Sequence, residues 1–407
     1  IGNEIKKAPA SAIREIKEKI DALDGTRLFL DTCAWGENGR PYVDIDVQHL
    51  SYYFPFGKHA HMYDDTDNLL VTGRSPDKPV LTDGENSTIT RTLNFSVPLL
   101  AHEVCHYTAL RDFSALKEKF LSCGTPLPWW INEELKLIEE KGYKNAYGEM
   151  YRASKYFQSE CWKTAFEAMR GSKLLGGFHF LQFADTDRYE NSNGVVDCFD
   201  DESYVKPDFF LKFNGERVLL SELGSRLFYG GDVVTVPISF SDFGEDFEKS
   251  ADFSFKLLRE NGSVCAAGEM PNIDVSKKGL YGICKIKMTL PDVNGSEELT
   301  LRVKLAINGE IYSENEWRIW AFEKCAPISY AEFVNYEKGD VAVTSDAEKA
   351  FNLLEKGKKV CLVYRSDWTR HVADKTQGNP EYAFRATWNR FKPVIWDRGT
   401  NYGGVWK

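Results

Sequence analysis

The chain has 407 residues, 43% of them hydrophobic and 14% aromatic, and a net charge of −10. That length suggests two or three domains, and that composition supplies ample core material and excludes wholesale disorder. The acidic balance argues against a nucleic-acid partner, which wants a basic patch, and no run of about 18 apolar residues offers a membrane span.

The chain opens at Ile1-Gly2-Asn3-Glu4, an apolar step into a Gly-Asn-Glu triplet that reads as the end of a strand. There is no initiator Met and no terminal element at the other end, so the chain reads as a fragment cut at both ends, silent about targeting. Residues 11–20 carry apolar positions at helical spacing, with Ser11 placed to cap them, and Asp24-Gly25 breaks the pattern before a strand at 27–31. Strand, helix and strand in that order suit a parallel sheet. An alternating stretch, 42–49, ends at His49 and runs into an aromatic loop, 51–57, that contains Tyr52. A polar loop with Asp64, Asp65 and Asp67, read as solvated, leads to a strand at 80–83. The apolar run from Val97 to His102 predicts a further strand ending at Glu103.

Residues 112–173 look helical apart from a break at 124–128, and 147–169 is the clearest helix of the chain. Residues 176–185 then read as a fully buried strand with Asp185 at its polar end. From Lys206-Pro207 the pattern changes. Short alternating runs fill 216–322, separated by turns such as Asn261-Gly262 and Asn308-Gly309, the signature of a β-sandwich. After Cys325-Ala326-Pro327, a strand at 340–343, a helix at 347–355 and a strand at 359–364 make a small α/β piece that stops before it is complete. The fold class is α/β: the C-terminal part of a (β/α)8 barrel over 1–212, an immunoglobulin-like β-sandwich over 213–324 and a partial α/β domain over 325–407.

Nine cysteines are spread along the chain without CxxC spacing. That excludes a zinc ribbon or redox pair, and most of them read as buried small apolar residues. The chemistry is sought in two glutamates, Glu4 and Glu103, each ending an apolar strand and 99 positions apart. In (β/α) barrels the reacting groups sit at the C-terminal strand ends. A retaining glycosidase places an acid/base and a nucleophile there, roughly 5–5.5 Å apart. Taken singly, Glu4 reads first as a solvated surface group, and Glu103 reads equally as a member of a structural ion pair. Asn3 is suited to bind the sugar 2-hydroxyl, and His49, Tyr52, Trp35 and Asp185 stand at other strand ends as candidates to line a sugar pocket, although Trp35 reads equally as a core residue and Asp185 as a cap of the following loop. His102-Glu103-Val104-Cys105-His106 also has HExxH spacing, but that zinc motif needs a helix that brings both imidazoles to one face. The preceding run reads as a strand, so no metal and no cofactor is expected.

These residues resemble glycoside hydrolase family 2, the β-galactosidases, β-glucuronidases and β-mannosidases. The resemblance rests on Gly2-Asn3-Glu4, on Ala22-Leu23-Asp24-Gly25-Thr26-Arg27-Leu28, on the strand ending at Glu103 and on Gly176-Gly177-Phe178-His179-Phe180, in that order over residues 1–210. It implies Glu4 as acid/base, Asn3 as its substrate-binding neighbour and Glu103 as nucleophile, with His49 and Tyr52 near the pocket. It also implies a retaining, exo-acting β-glycosidase that removes terminal sugars from oligo- or polysaccharides, in the periplasm or secreted from a bacterium. Phe180-Leu181-Gln182-Phe183 departs from the family, many of whose members carry a Trp there. The first three barrel strands and the family's N-terminal sugar-binding domains are not in the chain, so the expectation is an incomplete barrel with an open sheet edge, and an intact parent that is the enzyme. A non-catalytic carbohydrate-binding relative, and a zinc hydrolase built on 102–106, are the alternatives.

Overall fold

The structure, a computed structural model, describes residues 10–30, 42–48, 62–64, 79–82, 87–90, 96–105, 107, 109–187, 192–201, 204–246, 248–326 and 328–363. They fall into two units that part between Phe322 and Glu323.

The first unit opens with helix α1 (Ala10–Leu23). Its Ile13 is buried with Phe29 and Val43, and Ile16 and Ile20 complete that face. The predicted strand at 27–31 does not form at 28–30. Phe29 donates its N–H to the Asp44 carboxylate at 2.8 Å and accepts the Asp44 N–H at 2.8 Å, so its polar groups are met by one residue rather than by a ladder. Strand β1 (Asp46–Gln48) follows, then a 3-10 turn at Met62–Asp64 and a separate hairpin of β2 (Pro79–Thr82) and β3 (Ser87–Thr90).

Strand β4 (Leu99–Val104) pairs in parallel with β1 on one side and with β5 (Leu175–Phe180) on the other. Parallel neighbours need long crossovers. The one between β4 and β5 contains helices α2 (Phe113–Ser122), α3 (Trp129–Glu140) and α4 (Tyr147–Arg170). Strand β5 is mostly half-buried rather than fully buried, because it lies at the edge of the described three-stranded sheet. Among the described residues this sheet is open, not a closed barrel.

The core of this region sits between the sheet and α4. Trp162 and Phe166 are buried completely, and Phe166 meets Phe178 edge to face at 4.8 Å while Trp162 meets Phe180 at 5.7 Å. Phe210 and Phe213 of helix α5 (Pro207–Asn214) close the cluster. Aromatic rings in such T-shaped contacts bury large areas and also fix the angle at which the helix crosses the strands. Asp64, expected to be solvated, instead takes the Ser172 hydroxyl at 2.7 Å and the Lys173 N–H at 2.9 Å and so shapes the turn into β5. Of the eight described cysteines only Cys105 and Cys161 are buried, while Cys123, Cys325 and Cys361 are exposed, against the expectation that most would be internal.

The sandwich comprises β6 (Arg217–Ser221), β7 (Leu227–Tyr229), β8 (Val233–Asp242), β9 (Ser250–Arg259), β10 (Val264–Asp274), β11 (Gly279–Thr289), β12 (Ser296–Ile307) and β13 (Glu310–Phe322). They form a five-stranded sheet in the order β10-β9-β12-β13-β7 and a three-stranded sheet in the order β11-β8-β6. Alternation decides which residues face inward: Val236, Ile238 and Phe240 from one sheet meet Phe253, Leu257, Leu301, Val303 and Ile319 from the other. Asn308 and Gly309 both have positive φ, 52° and 86°, as a two-residue hairpin turn that follows the strand twist requires.

In the second unit, α6 (Tyr330–Phe333) is followed by β14 (Glu337–Lys338), β15 (Val341–Thr344), helix α7 (Ala347–Glu355) and β16 (Lys359–Leu362). Strands β15 and β16 are parallel, and α7 packs Ala350 and Leu353 against them as the crossover. No described helix is long and apolar enough to cross a membrane.

Candidate functional site

Glu103 lies at the C-terminal end of β4, next to the edge where β5 ends. The β4–β5 register slips between Ala101 and Val104. Glu103 there has φ of 50° and Cys105 φ of 62°, two non-glycine residues in the left-handed region within three positions. Such residues cost energy and persist where the surroundings over-determine them, often at working sites. Here the surroundings are α4. Its Trp162 donates Nε1–H to the Cys105 carbonyl at 3.3 Å, and its Gln158 amide donates to the Tyr107 carbonyl. The Cys105 carbonyl also accepts the Tyr107 N–H at 2.7 Å. From the other side, Leu181 just past β5 gives its N–H to the Val104 carbonyl at 3.1 Å.

The His102 imidazole faces the carboxylate, and the His179 imidazole faces His102. His102 Nε2 is 3.5 Å from Glu103 Oε1, and the two side chains remain 21% and 25% exposed, so the group is set into the surface without being sealed off. His102 Nδ1 lies 3.0 Å from Nδ1 of His179 on β5. Burial, and after it the nearness of His102, hold the His179 imidazole below its ordinary value. His179 is a site neighbour that sequence reasoning missed. The residue stood in plain view in the Gly-Gly-Phe-His-Phe run, but its meeting with His102 depends on strand register.

Residues 102–104 are strand rather than helix. His106 lies outside the described residues. Asp185 is described, and it is buried. Its Oδ1 accepts the Gly194 N–H at 2.7 Å and its Oδ2 stands 3.9 Å from Arg111 Nε. Burial raises its pKa, against the nearby charges of Lys155 and Arg111. In this arrangement Asp185 ties together the loop after β5. Glu4, Asn3, Trp35, His49 and Tyr52 lie outside the described residues.

Deeper in the same region lies a second group of polar side chains. Arg111 is 5% exposed and stacks over Trp130 of α3 at 5.0 Å. Glu134 is buried beside it, with Oε2 meeting no hydrogen-bond donor among the described residues, and burial pushes its carboxyl up to about 7.

Residues 232–323, which contain β8 to β13, match the model of a family described as "Domain of unknown function (DUF8488)". No curated protein matches the chain. Among solved structures, a β-glucuronidase from glycoside hydrolase family 2 is 13% identical, covering 79% of this chain and 26% of its own, with a TM-score of 0.29. The Parabacteroides merdae β-glucuronidase is 15% identical over 26% of this chain and 13% of its own, with a TM-score of 0.20. The sporulation control protein Spo0M of Bacillus subtilis is 13% identical over 27% of this chain and 49% of its own, with a TM-score of 0.21. This chain thus spans less than half the length of each.

Proposed function

We propose that the chain comes from a retaining, exo-acting β-glycosidase and supplies the C-terminal part of its catalytic barrel and the domains that follow. The observation that carries this reading is Glu103: a partly buried carboxylate at the C-terminal end of a parallel strand, in a left-handed backbone conformation, facing His102, which in turn faces His179. Glu103 attacks the anomeric carbon and expels the leaving oxygen, which Glu4 protonates. Glu4 then deprotonates the water that displaces Glu103 from the glycosyl-enzyme. Asn3 binds the 2-hydroxyl, and Trp35, His49, Tyr52 and Asp185 contribute to the pocket or to its support. No cofactor takes part. The substrate is a terminal β-linked sugar of an oligo- or polysaccharide, and the protein works in the periplasm or outside a bacterial cell.

The test is covalent labelling of the intact parent protein with 2-deoxy-2-fluoro-β-glycosyl fluorides of galactose, glucuronic acid and mannose, followed by peptide mass spectrometry. The expected result is one adduct, on Glu103. Glu103→Gln should lose the adduct and lower turnover of the matching aryl glycoside by a factor on the order of 10⁴, with sugar binding retained. An adduct on another residue, or unchanged turnover in the variant, overturns the assignment. Sugar binding without labelling or turnover in the wild type points to the carbohydrate-binding alternative.

A further inference from the structure

His102, which faces Glu103, and His179 behind it constrain each other's protons. Their Nδ1 atoms are 3.0 Å apart, with ring planes at 82°. At that distance one nitrogen carries a proton and the other a lone pair, because two protons or two lone pairs repel. The far side of the His102 ring shows which arrangement is favoured, without fixing it alone. Its Nε2 faces Glu103 Oε1 at 3.5 Å, longer than a strong hydrogen bond yet close enough for charge to choose the tautomer. A proton on Nε2 meets the carboxylate favourably, whereas a lone pair there would face negative charge. The neutral His102 ring therefore has Nε2–H toward Glu103 and accepts at Nδ1. His179 donates from its own Nδ1.

We propose that His179 is a positioning residue: by donating to His102 it holds that ring in the Nε2–H tautomer, which steadies the Glu103 carboxylate in its ionised form. The proposal rests on the reading of Glu103 as the nucleophile. Its basis in the fold is the parallel pairing of β4 and β5, which brings two histidines 77 positions apart to adjacent strand ends. Nothing in the spacing of the two histidines along the chain announces it.

Histidine-selective ¹⁵N labelling tests the proton arrangement directly, since the 407-residue chain has only seven histidines to assign. Two-bond nitrogen–proton correlations should show His102 as Nε2–H and His179 as Nδ1–H. His179→Leu should release His102 into a mixture of tautomers, and His179→Gln, whose amide N–H can donate in place of the ring, should restore the single form. In the parent protein the leucine variant should lower kcat roughly tenfold, the rate equivalent of one hydrogen bond, with KM changed less than about twofold. The glutamine variant should recover most of that loss, and it keeps the test decisive where the leucine variant misfolds. His102 found as Nδ1–H in the wild type, or unchanged kcat in the leucine variant, overturns the proposal. If the tautomers are as expected but no glycosyl fluoride labels the wild type, the glycosidase reading falls while the coupling of the two rings stands.

Discussion

At the scale of single residues, position 103 shows how a backbone is made to serve a carboxylate. A glutamate has no intrinsic preference for φ of 50°, and the hydrogen bonds from Trp162 and Gln158 to the carbonyls of Cys105 and Tyr107 hold the chain just after it in place. Glu134 is the residue where burial acts most plainly on charge. Its folded pKa, about 7, lies above the ordinary value of 4.5. Between those two values the folded chain keeps a proton that the unfolded chain has released, so this residue's contribution makes stability fall as pH rises through the window and level off above it. Glu134→Gln removes that dependence. The variant should match the wild type near pH 4.5 and exceed it by ~3 kcal/mol at pH 8 in urea unfolding. An identical pH dependence in the two proteins would show that Glu134 titrates alike in the folded and unfolded chains.

At the scale of elements, α4 is the part on which the first unit turns. One face covers β4 and β5 with Trp162 and Phe166. Its C-terminal half reaches the sandwich, where Glu167 accepts from Asn315 Nδ2 at 2.7 Å and from Trp317 Nε1 at 2.9 Å and is ion-paired with Lys163. Lys163 is 2% exposed, donates to Asn315 Oδ1 at 2.8 Å, and has its pKa lowered by burial. Removing one partner of a buried, hydrogen-bonded pair leaves the other charge stranded. Glu167→Ala should therefore cost about 3–5 kcal/mol in urea unfolding. A loss below about 1 kcal/mol would mean that water replaces the carboxylate. A smaller effect is expected at the start of α2, where the Asp112 side chain accepts the Ala115 N–H at 3.0 Å as an N-cap. Asp112→Ala should lower the unfolding free energy by about 1 kcal/mol. The loop after β5 is held by close backbone approach. A Cβ at Gly194 would meet the Asp185 nitrogen at 2.4 Å, which is why a glycine stands where Asp185 is satisfied.

At the scale of the whole molecule, the sheet region and the sandwich belong to one unit, joined by the Lys163–Glu167–Asn315–Trp317 network and by Glu160 paired with Arg226 and Arg318. Residues this buried do not part without leaving charge unpaired, so sandwich and sheet should unfold in a single transition. The mechanism proposed for Glu103 and Glu4 uses no metal, and residues 102–104 of the HExxH-like string are strand. Dialysis against EDTA should leave labelling of Glu103 in the parent protein unchanged. Loss of labelling restored by zinc alone would revive the zinc alternative.

Local pattern alone determined a good deal of this protein. The helix read at 147–169 is α4, the alternating runs of 216–322 are the two sheets of the sandwich, and the run ending at Glu103 is β4. These features depend on side-chain period, which neighbours in sequence carry by themselves. Position 28–30 went the other way, because the polar groups of Phe29 found Asp44 instead of a strand partner. Asp64 is half-buried in the turn before β5, and Asp185 accepts the Gly194 N–H within the loop after β5, each through partners outside its own local pattern. The meeting of His102 with His179 was likewise decided only by the tertiary structure, since parallel register alone determines which residues of two remote strands end side by side.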